Sequence, residues 1–195
     1  MKKKVVILGA GYAGIFATPN MINNGLDITI IDKNKYHQLL QQILLVASDI
    51  KQPKDIALSI HELLKEDAWF MYDVIESVDL ERRLVKGRRS SIEYKYDYLI
   101  IALGASNNYF NIKGVQQYSK SFRSVNDAIK LREAIRTLPL DSDIVIAGGG
   151  ATGISLAGAL SEAFNEGGKI TVIEAQQDIL AEWDFRILDL PSNYC

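Results

Sequence analysis

The sequence predicts an α/β fold: two βαβ units in tandem, a β-meander inserted between them, and the second unit incomplete. Three observations predict it. A glycine loop occurs twice, as Gly9-Ala10-Gly11-Tyr12-Ala13-Gly14 and as Gly148-Gly149-Gly150-Ala151-Thr152-Gly153. Each loop follows a short apolar run, Val5-Val6-Ile7-Leu8 and Ile144-Val145-Ile146-Ala147. Each is then followed by a helix-like stretch, a second apolar run and an acid: Asp32 after Ile28-Thr29-Ile30-Ile31, and Glu174 after Ile170-Thr171-Val172-Ile173.

Taken in order, residues 4–8 read as a buried strand and residues 12–22 as a helix. Pro19 lies past the first turn of that helix, where it removes a backbone hydrogen bond and bends the axis. Asn23-Asn24-Gly25 ends it, because Asn and Gly tolerate the left-handed cap conformation. Residues 27–31 are short and β-branched, which favours strand. Residues 36–48 are mostly apolar with glutamines and read as helical. Pro53 opens a further helix over 54–65, with Ile56, Leu63 and Leu64 as its apolar positions. From residue 68 the pattern shifts to short strands, 71–80, 83–86 and 91–96, a meander with Gly87 in an exposed turn. Residues 98–103 are continuously apolar, as in a central parallel strand. Ser124-Val125-Asn126-Asp127 resembles a capping box opening a helix to about residue 137. The second strand–loop–helix–strand unit fills 143–174, and no clear strand follows it.

Composition narrows the class. The 195 residues allow one or two domains, at roughly 100–200 residues each. The chain is 48% hydrophobic and 24% charged, an ordinary globular balance, and its net charge of −2 gives no reason to expect nucleic acid. No apolar run approaches the roughly 20 residues that span a bilayer. Lys2-Lys3-Lys4 with the apolar run behind it imitates a signal peptide, but fits better a strand entering a glycine loop. The single cysteine, Cys195, excludes an intrachain disulfide or redox pair and fits a reducing compartment. Two histidines, His37 and His61, and one thiol make a zinc site an unsuitable reading. Arg82, Arg83, Lys86, Arg88 and Arg89 read as a solvated hairpin, and Tyr94, Tyr96 and Tyr98 as strand packing. His37 reads as structural rather than catalytic.

The paired loops carry the chemistry. A dinucleotide pyrophosphate needs positive potential and backbone N–H groups at short range, and a helix N-terminus supplies both. The first glycine makes the turn, the second lets the phosphate approach, and the third lets helix and strand pack closely. Gly9, Gly11 and Gly14 stand in that order, as do Gly148, Gly150 and Gly153. The acid ending the second strand accepts hydrogen bonds from a ribose 2′-hydroxyl. Asp32 and Glu174 stand 23 and 26 residues after Gly9 and Gly148. An acid there repels a 2′-phosphate, so Glu174 favours NADH over NADPH. Lys33 follows Asp32, but no arginine follows Glu174. Leu99 to Leu103 with Gly104-Ala105 reads as a buried strand ending in glycine, equally a plain strand end or a place where backbone approaches a ligand or another element.

These residues resemble the two-dinucleotide-binding flavoproteins of the pyridine nucleotide–disulfide oxidoreductase superfamily. Within it they are most similar to type II NADH dehydrogenases, the single-subunit NADH:quinone oxidoreductases. The first loop with its strand, Tyr36-His37-Gln38-Leu39-Leu40, the 98–105 strand end and the second loop all carry the likeness, which covers most of 2–184. It implies tandem Rossmann-like dinucleotide-binding modules, the FAD/NAD(P)-binding fold. An FAD-binding module would occupy 1–112, lacking its C-terminal return segment, and a truncated NADH-binding module 113–195. FAD would be held by Gly9, Gly11, Ala13, Gly14 and Asp32, with Gly104 near the flavin, and NADH by Gly148, Gly150, Thr152, Gly153 and Glu174. Hydride would pass from NADH to flavin, then electrons to a quinone. The cofactors carry that chemistry, so no catalytic side chain is assigned. The resemblance also implies a cytoplasmic protein at the inner face of the membrane, with peripheral membrane contact, no nucleic-acid partner, and a homodimer open to it.

Three departures qualify it. The family pattern after the second loop reads Gly-Val-Glu-Leu-Ala-Gly-Glu-Leu, and here Ser155 and Ala159 replace the two glutamates. The family chain is also longer, with a Gly-Asp segment at the flavin, a quinone-site motif and membrane-binding helices. The tail from Phe185 does not resemble it, so a truncated or frame-shifted product, or an excised fragment, is expected. Two alternatives stand beside the quinone reductase. One is a related flavoprotein reductase with another acceptor, against whose sulfide branch the missing cysteines argue. The other is a non-catalytic dinucleotide-binding fragment.

Overall fold

The computed structural model describes residues 2–65, 67–139, 141–163 and 168–181. The tail from Phe185 lies outside them. The chain divides into two compact units, Met1–Leu40 with Pro53–Val125, and Gln41–Gln52 with Asn126–Cys195.

In the first unit, β1 (Lys4–Leu8) is followed by α1 (Tyr12–Asn23) and β2 (Asp27–Asp32). Continuous apolar strands such as these are stable only when both faces are covered. β3 (Tyr36–Gln38) then precedes α2 (Ile43–Ala47), whose residues belong to the second unit. β4 (Ala57–Ser59), α3 (Ile60–Leu64) and β5 (Trp69–Tyr72) return to the first. The meander consists of β6 (Ile75–Asp79), β7 (Leu84–Gly87) and β8 (Glu93–Lys95), and β9 (Tyr98–Ile101) closes the main sheet. That sheet has the order β5-β2-β1-β9, with every neighbouring pair parallel. The period of two along β1 sends alternate residues to opposite faces. Val5 and Ile7, with Ile28 and Ile30, pack under Ile15 and Ile22 of α1 and Ile60 and Leu64 of α3. Val6, Leu8 and Ile31 pack with Val85, Val78, Tyr94 and Tyr96 of the meander. The sheet is therefore a middle layer, and Tyr94 and Tyr96 are packing residues as the sequence implies.

α4 (Val115–Tyr118) leads to α5 (Val125–Arg136), which starts directly after Ser124. In the second unit, β10 (Asp143–Ala147), α6 (Ala151–Ala163) and β11 (Lys169–Ile173) form a parallel βαβ unit. α2 packs against α6, and Val46 and Ala47 of the one and Leu156 and Leu160 of the other are buried. Asp49, just past α2, accepts hydrogen bonds from Arg132 and Arg136 of α5. These contacts are why the 41–52 segment joins the second unit.

Both βαβ units match the sequence reading closely. Residues 36–65 do not. The helix expected over 36–48 begins as β3, which pairs antiparallel with β4, and only Ile43–Ala47 is α-helical. The helix expected over 54–65 shrinks to Ile60–Leu64, capped by the Ser59 side chain accepting from the Glu62 N–H. The backbone chooses the ladder here: Leu39 N–H donates to the Ile56 carbonyl at 2.9 Å, which a helix at either residue would forbid. The strand expected over 71–80 is two strands in two sheets. It breaks at Asp73, whose N–H donates to the Asp32 carbonyl and whose carboxylate takes the next N–H, from Val74. The last main strand ends at Ile101, short of Leu103. Pro19 does lie inside α1.

Candidate functional site

The first glycine loop is built by collision and by hydrogen bonds. Gly9 is buried at φ +104°, a conformation that side chains resist, and a Cβ there would collide with the Ala102 carbonyl at the end of β9. Its N–H donates to the Ile31 carbonyl at 2.8 Å. A Cβ on Gly14 would collide with the Gly9 carbonyl, so that glycine presses α1 against the loop. Gly11 differs from both: it is exposed, and a Cβ there would meet nothing within 4 Å. It is the N-cap of α1 and supplies no side-chain cap, and the first turn holds no acid. The positive pole of the helix is therefore not offset by a side-chain cap or an acid in the first turn. Ala13 is exposed on that first turn.

Between the two outer glycines, Ala10 is gripped from both ends. Its N–H donates to Asp32 Oδ2 at 2.7 Å, and its carbonyl accepts from His37 Nδ1 at 3.0 Å. A carbonyl can only accept, which fixes the proton on Nδ1. The other Asp32 oxygen accepts from Asn34 N–H at 2.7 Å.

The second loop repeats this with other parts. Gly148 stands at φ +117° and donates to the Ile173 carbonyl at 2.8 Å. A Cβ on Gly153 would collide with the Gly148 carbonyl, whereas one on Gly150 would meet nothing. Gly149 donates to Glu174 Oε2 at 2.6 Å, and its carbonyl accepts from the Leu180 N–H at 2.9 Å. A Cβ on Gly149 would press on Glu174 and Ile179 at about 3 Å, which is why glycine stands where the first loop has alanine. The other Glu174 oxygen accepts from Ala175 and Gln176 N–H. Backbone donation from Gln176, then Gly149, holds this carboxyl below its ordinary value, so it is ionised at neutral pH. Thr152 is exposed on the first turn of α6.

Both loops lie at the C-terminal ends of parallel strands, the end at which open α/β sheets bind ligands. A cavity of about 210 Å³ lined by Lys4, Asp27, Trp69 and Tyr94 lies at the opposite end of the first sheet, away from both loops. Among the described residues no group of His, Cys, Asp and Glu could hold a metal. No helix among them is long and apolar enough to cross a membrane.

The family profile of pyridine nucleotide-disulphide oxidoreductases matches residues 3–189. The chain belongs to that family. It is 28% identical, over 99% of its length, to the type II NADH:quinone oxidoreductase of Staphylococcus haemolyticus, and spans 54% of that protein. It is 27% identical over 92% of its length to the demethylphylloquinone reductase NdbB of Synechocystis, spanning 48% of it. Among solved structures, NDH2 from Plasmodium falciparum in complex with NADH superposes with TM-score 0.82 at 25% identity, covering 96% of this chain and 44% of that one. The chain thus spans about half the length of these relatives.

In this chain Ser155 is exposed on α6 and Ala159 is buried, and neither position offers a carboxylate. Gly104 lies past β9, exposed, at φ +75°. The basic cluster is hairpin, as read: Lys86 pairs with Glu76 at 2.8 Å, and Arg89 lies over the Tyr72 ring. Two residues escaped the sequence reading. Leu180 acts through its backbone, which no side-chain pattern announces. Asp73 is 1% exposed and accepts from Val74, Arg89 and Ser90 N–H, from the Ser90 hydroxyl and from Tyr94. An acid inside an apolar strand pattern was the available signal.

Proposed function

We propose that this chain carries the FAD- and NADH-binding loops of an NADH:quinone oxidoreductase. One observation carries the reading. In each loop the third glycine is closed against the carbonyl of the first, which stands at positive φ, while the central one faces open space just before a helix whose first turn holds no acid. Two such cradles in one chain fit two pyrophosphates. The fit extends to the acids, since Asp32 and Glu174 stand at the strand tips where ribose hydroxyls would donate.

On this reading Gly9, Gly11, Ala13, Gly14 and Asp32 hold FAD, with Gly104 toward its flavin end. Gly148, Gly150, Thr152, Gly153 and Glu174 hold NADH. Bound flavin would accept hydride from NADH and deliver electrons to a quinone. The chain's own residues bind and orient: loop N–H groups neutralise phosphate charge, and the acids fix each ribose. Glu174, already ionised by its backbone donors, repels a 2′-phosphate. Quinone as acceptor follows the names of the relatives, and cytoplasmic placement with peripheral membrane contact belongs to the same proposal.

The test is direct. Purified chain mixed with FAD is expected to retain flavin absorbance that NADH bleaches without oxygen and a soluble quinone restores. Protein that stays colourless sinks the reading. The Glu174→Gln variant is expected to narrow the NADH-over-NADPH preference about tenfold, as loss of one charge repulsion predicts. An unchanged preference would remove Glu174 from cofactor selection.

A further inference from the structure

His37 is 4% exposed and takes no part in the chemistry proposed above, yet its ring is committed on two sides of one residue. Its Nδ1–H donates to the Ala10 carbonyl at 3.0 Å, 27 residues away. Its ring also meets the Tyr12 ring edge-on, with centroids 4.7 Å apart. Ala10 and Tyr12 are the two neighbours of Gly11, the open residue of the first cradle. The imidazole is aimed there by β3, where His37 pairs with Leu58 of β4. Asp32 completes the grip by accepting the Ala10 N–H, so both ends of Ala10 are tied before any ligand arrives.

We propose that His37 is a positioning residue for the pyrophosphate of the first dinucleotide: it fixes the Ala10 carbonyl, and thereby the uncapped N–H groups of Gly11 and the first turn of α1. The inference rests on the reading of the first loop as a dinucleotide site. Peptide groups flanking an anion help most when they need not reorganise on binding. Ala10 is 2% exposed, so without the imidazole its carbonyl would lie buried and unpaired, and the peptide would turn to find water. The second loop supplies the comparison. There the same carbonyl position, at Gly149, is tied by a backbone N–H from Leu180, so the arrangement is a feature of both cradles and only the first depends on a side chain.

The experiment follows hydrogen exchange at residues 9–15 and 148–154 separately while the chain is titrated with ADP, and with adenosine as a probe lacking phosphate. In wild type, ADP is expected to protect the first loop. His37→Phe keeps an aromatic ring but loses the donor, and is expected to weaken that response about tenfold, the size of one lost hydrogen bond. The adenosine response and the second loop should not change. His37→Asn offers an N–H near the former Nδ1 position and is expected to restore most of the ADP response. An ADP response in His37→Phe equal to wild type overturns the proposal. If ADP protects neither loop in wild type, the dinucleotide reading itself fails, which is a separate result. Should the Phe variant not fold, nitrogen NMR of the unmodified chain decides. A protonated Nδ1 whose proton resonance moves on ADP binding supports the proposal, and an unprotonated Nδ1, or one that ADP leaves unmoved, overturns it.

Discussion

Gly11 and Gly14 sit three residues apart in one loop, yet a methyl group has opposite consequences at each. At Gly14 it meets the Gly9 carbonyl, which is backbone and cannot swing aside. At Gly11 it meets nothing, and φ −73° with ψ −169° suits any residue. Gly14→Ala is therefore expected to cost about 1–3 kcal/mol in a urea melt, the usual size of overpacking. Gly11→Ala should leave the midpoint unchanged or slightly raised, because it narrows the unfolded ensemble. The same pair of outcomes is expected at Gly153, which faces the Gly148 carbonyl, and at Gly150, which faces open space. Equal destabilisation at Gly11 and Gly14 would show that the central glycine is closed by packing, and the cradle argument would fall. The glycine, acid and helix order was legible in the sequence because each part is a residue type at a fixed spacing. The grip on Ala10 and Gly149 was not, since it joins an atom to a donor 27 or 31 positions on, through folds the spacing does not reveal.

At the scale of the element, the meander hangs on one carboxylate. Asp73 ends the main-sheet strand and gathers the 87–90 turn, and a Cβ on Gly87 would strike its carboxylate. Burial works to raise its carboxyl, but donation from the Ser90 hydroxyl and the N–H groups of Arg89, Val74 and Ser90 outweighs it, leaving a value of about 2. Asp73→Asn replaces an acceptor by an N–H that confronts these donors, and is expected to cost about 1–3 kcal/mol at neutral pH. The sign follows from linkage. The carboxyl is depressed below its ordinary 3.8, so its contribution is whole above about pH 4 and fades as pH falls toward 2. Denaturant melts of both proteins should converge across that window, and a gap that persists unchanged at pH 2 would count against an ionised hub. The residue also explains what sequence reading lost. β1, β2, β10 and β11 were legible because each is a continuous apolar run beside a glycine loop or its acid. β3 and β4 have three residues each, too few to show a period of two against a helical pattern. Residues 71–80 looked like one strand because the break is made by tertiary hydrogen bonds to Asp73, in a stretch with no Gly or Pro to mark it.

Over the whole molecule, each compact unit carries one cradle: the Gly9 loop in the first and the Gly148 loop in the second. The two differ in how they are finished. The first loop is tied by the buried His37 side chain, and the second by a backbone N–H from the 175–181 segment, where Ile179 is 54% exposed. A resident cofactor suits the first arrangement and an exchanging one the second. If the assignment holds, ligand and variant should separate cleanly. A ligand at one hundred times its Kd stabilises the folded state by about 2.7 kcal/mol, and that increment vanishes when its own cradle is filled. FAD is therefore expected to raise the melting temperature of wild type and of Gly150→Ala, but hardly that of Gly11→Ala. NADH should raise wild type and Gly11→Ala, but hardly Gly150→Ala. The contrast tests assignment rather than folding, because neither alanine meets a neighbouring atom in the free chain. The reversed pattern would exchange the two cofactors, and loss of both responses in either single variant would mean that one site, not two, binds them.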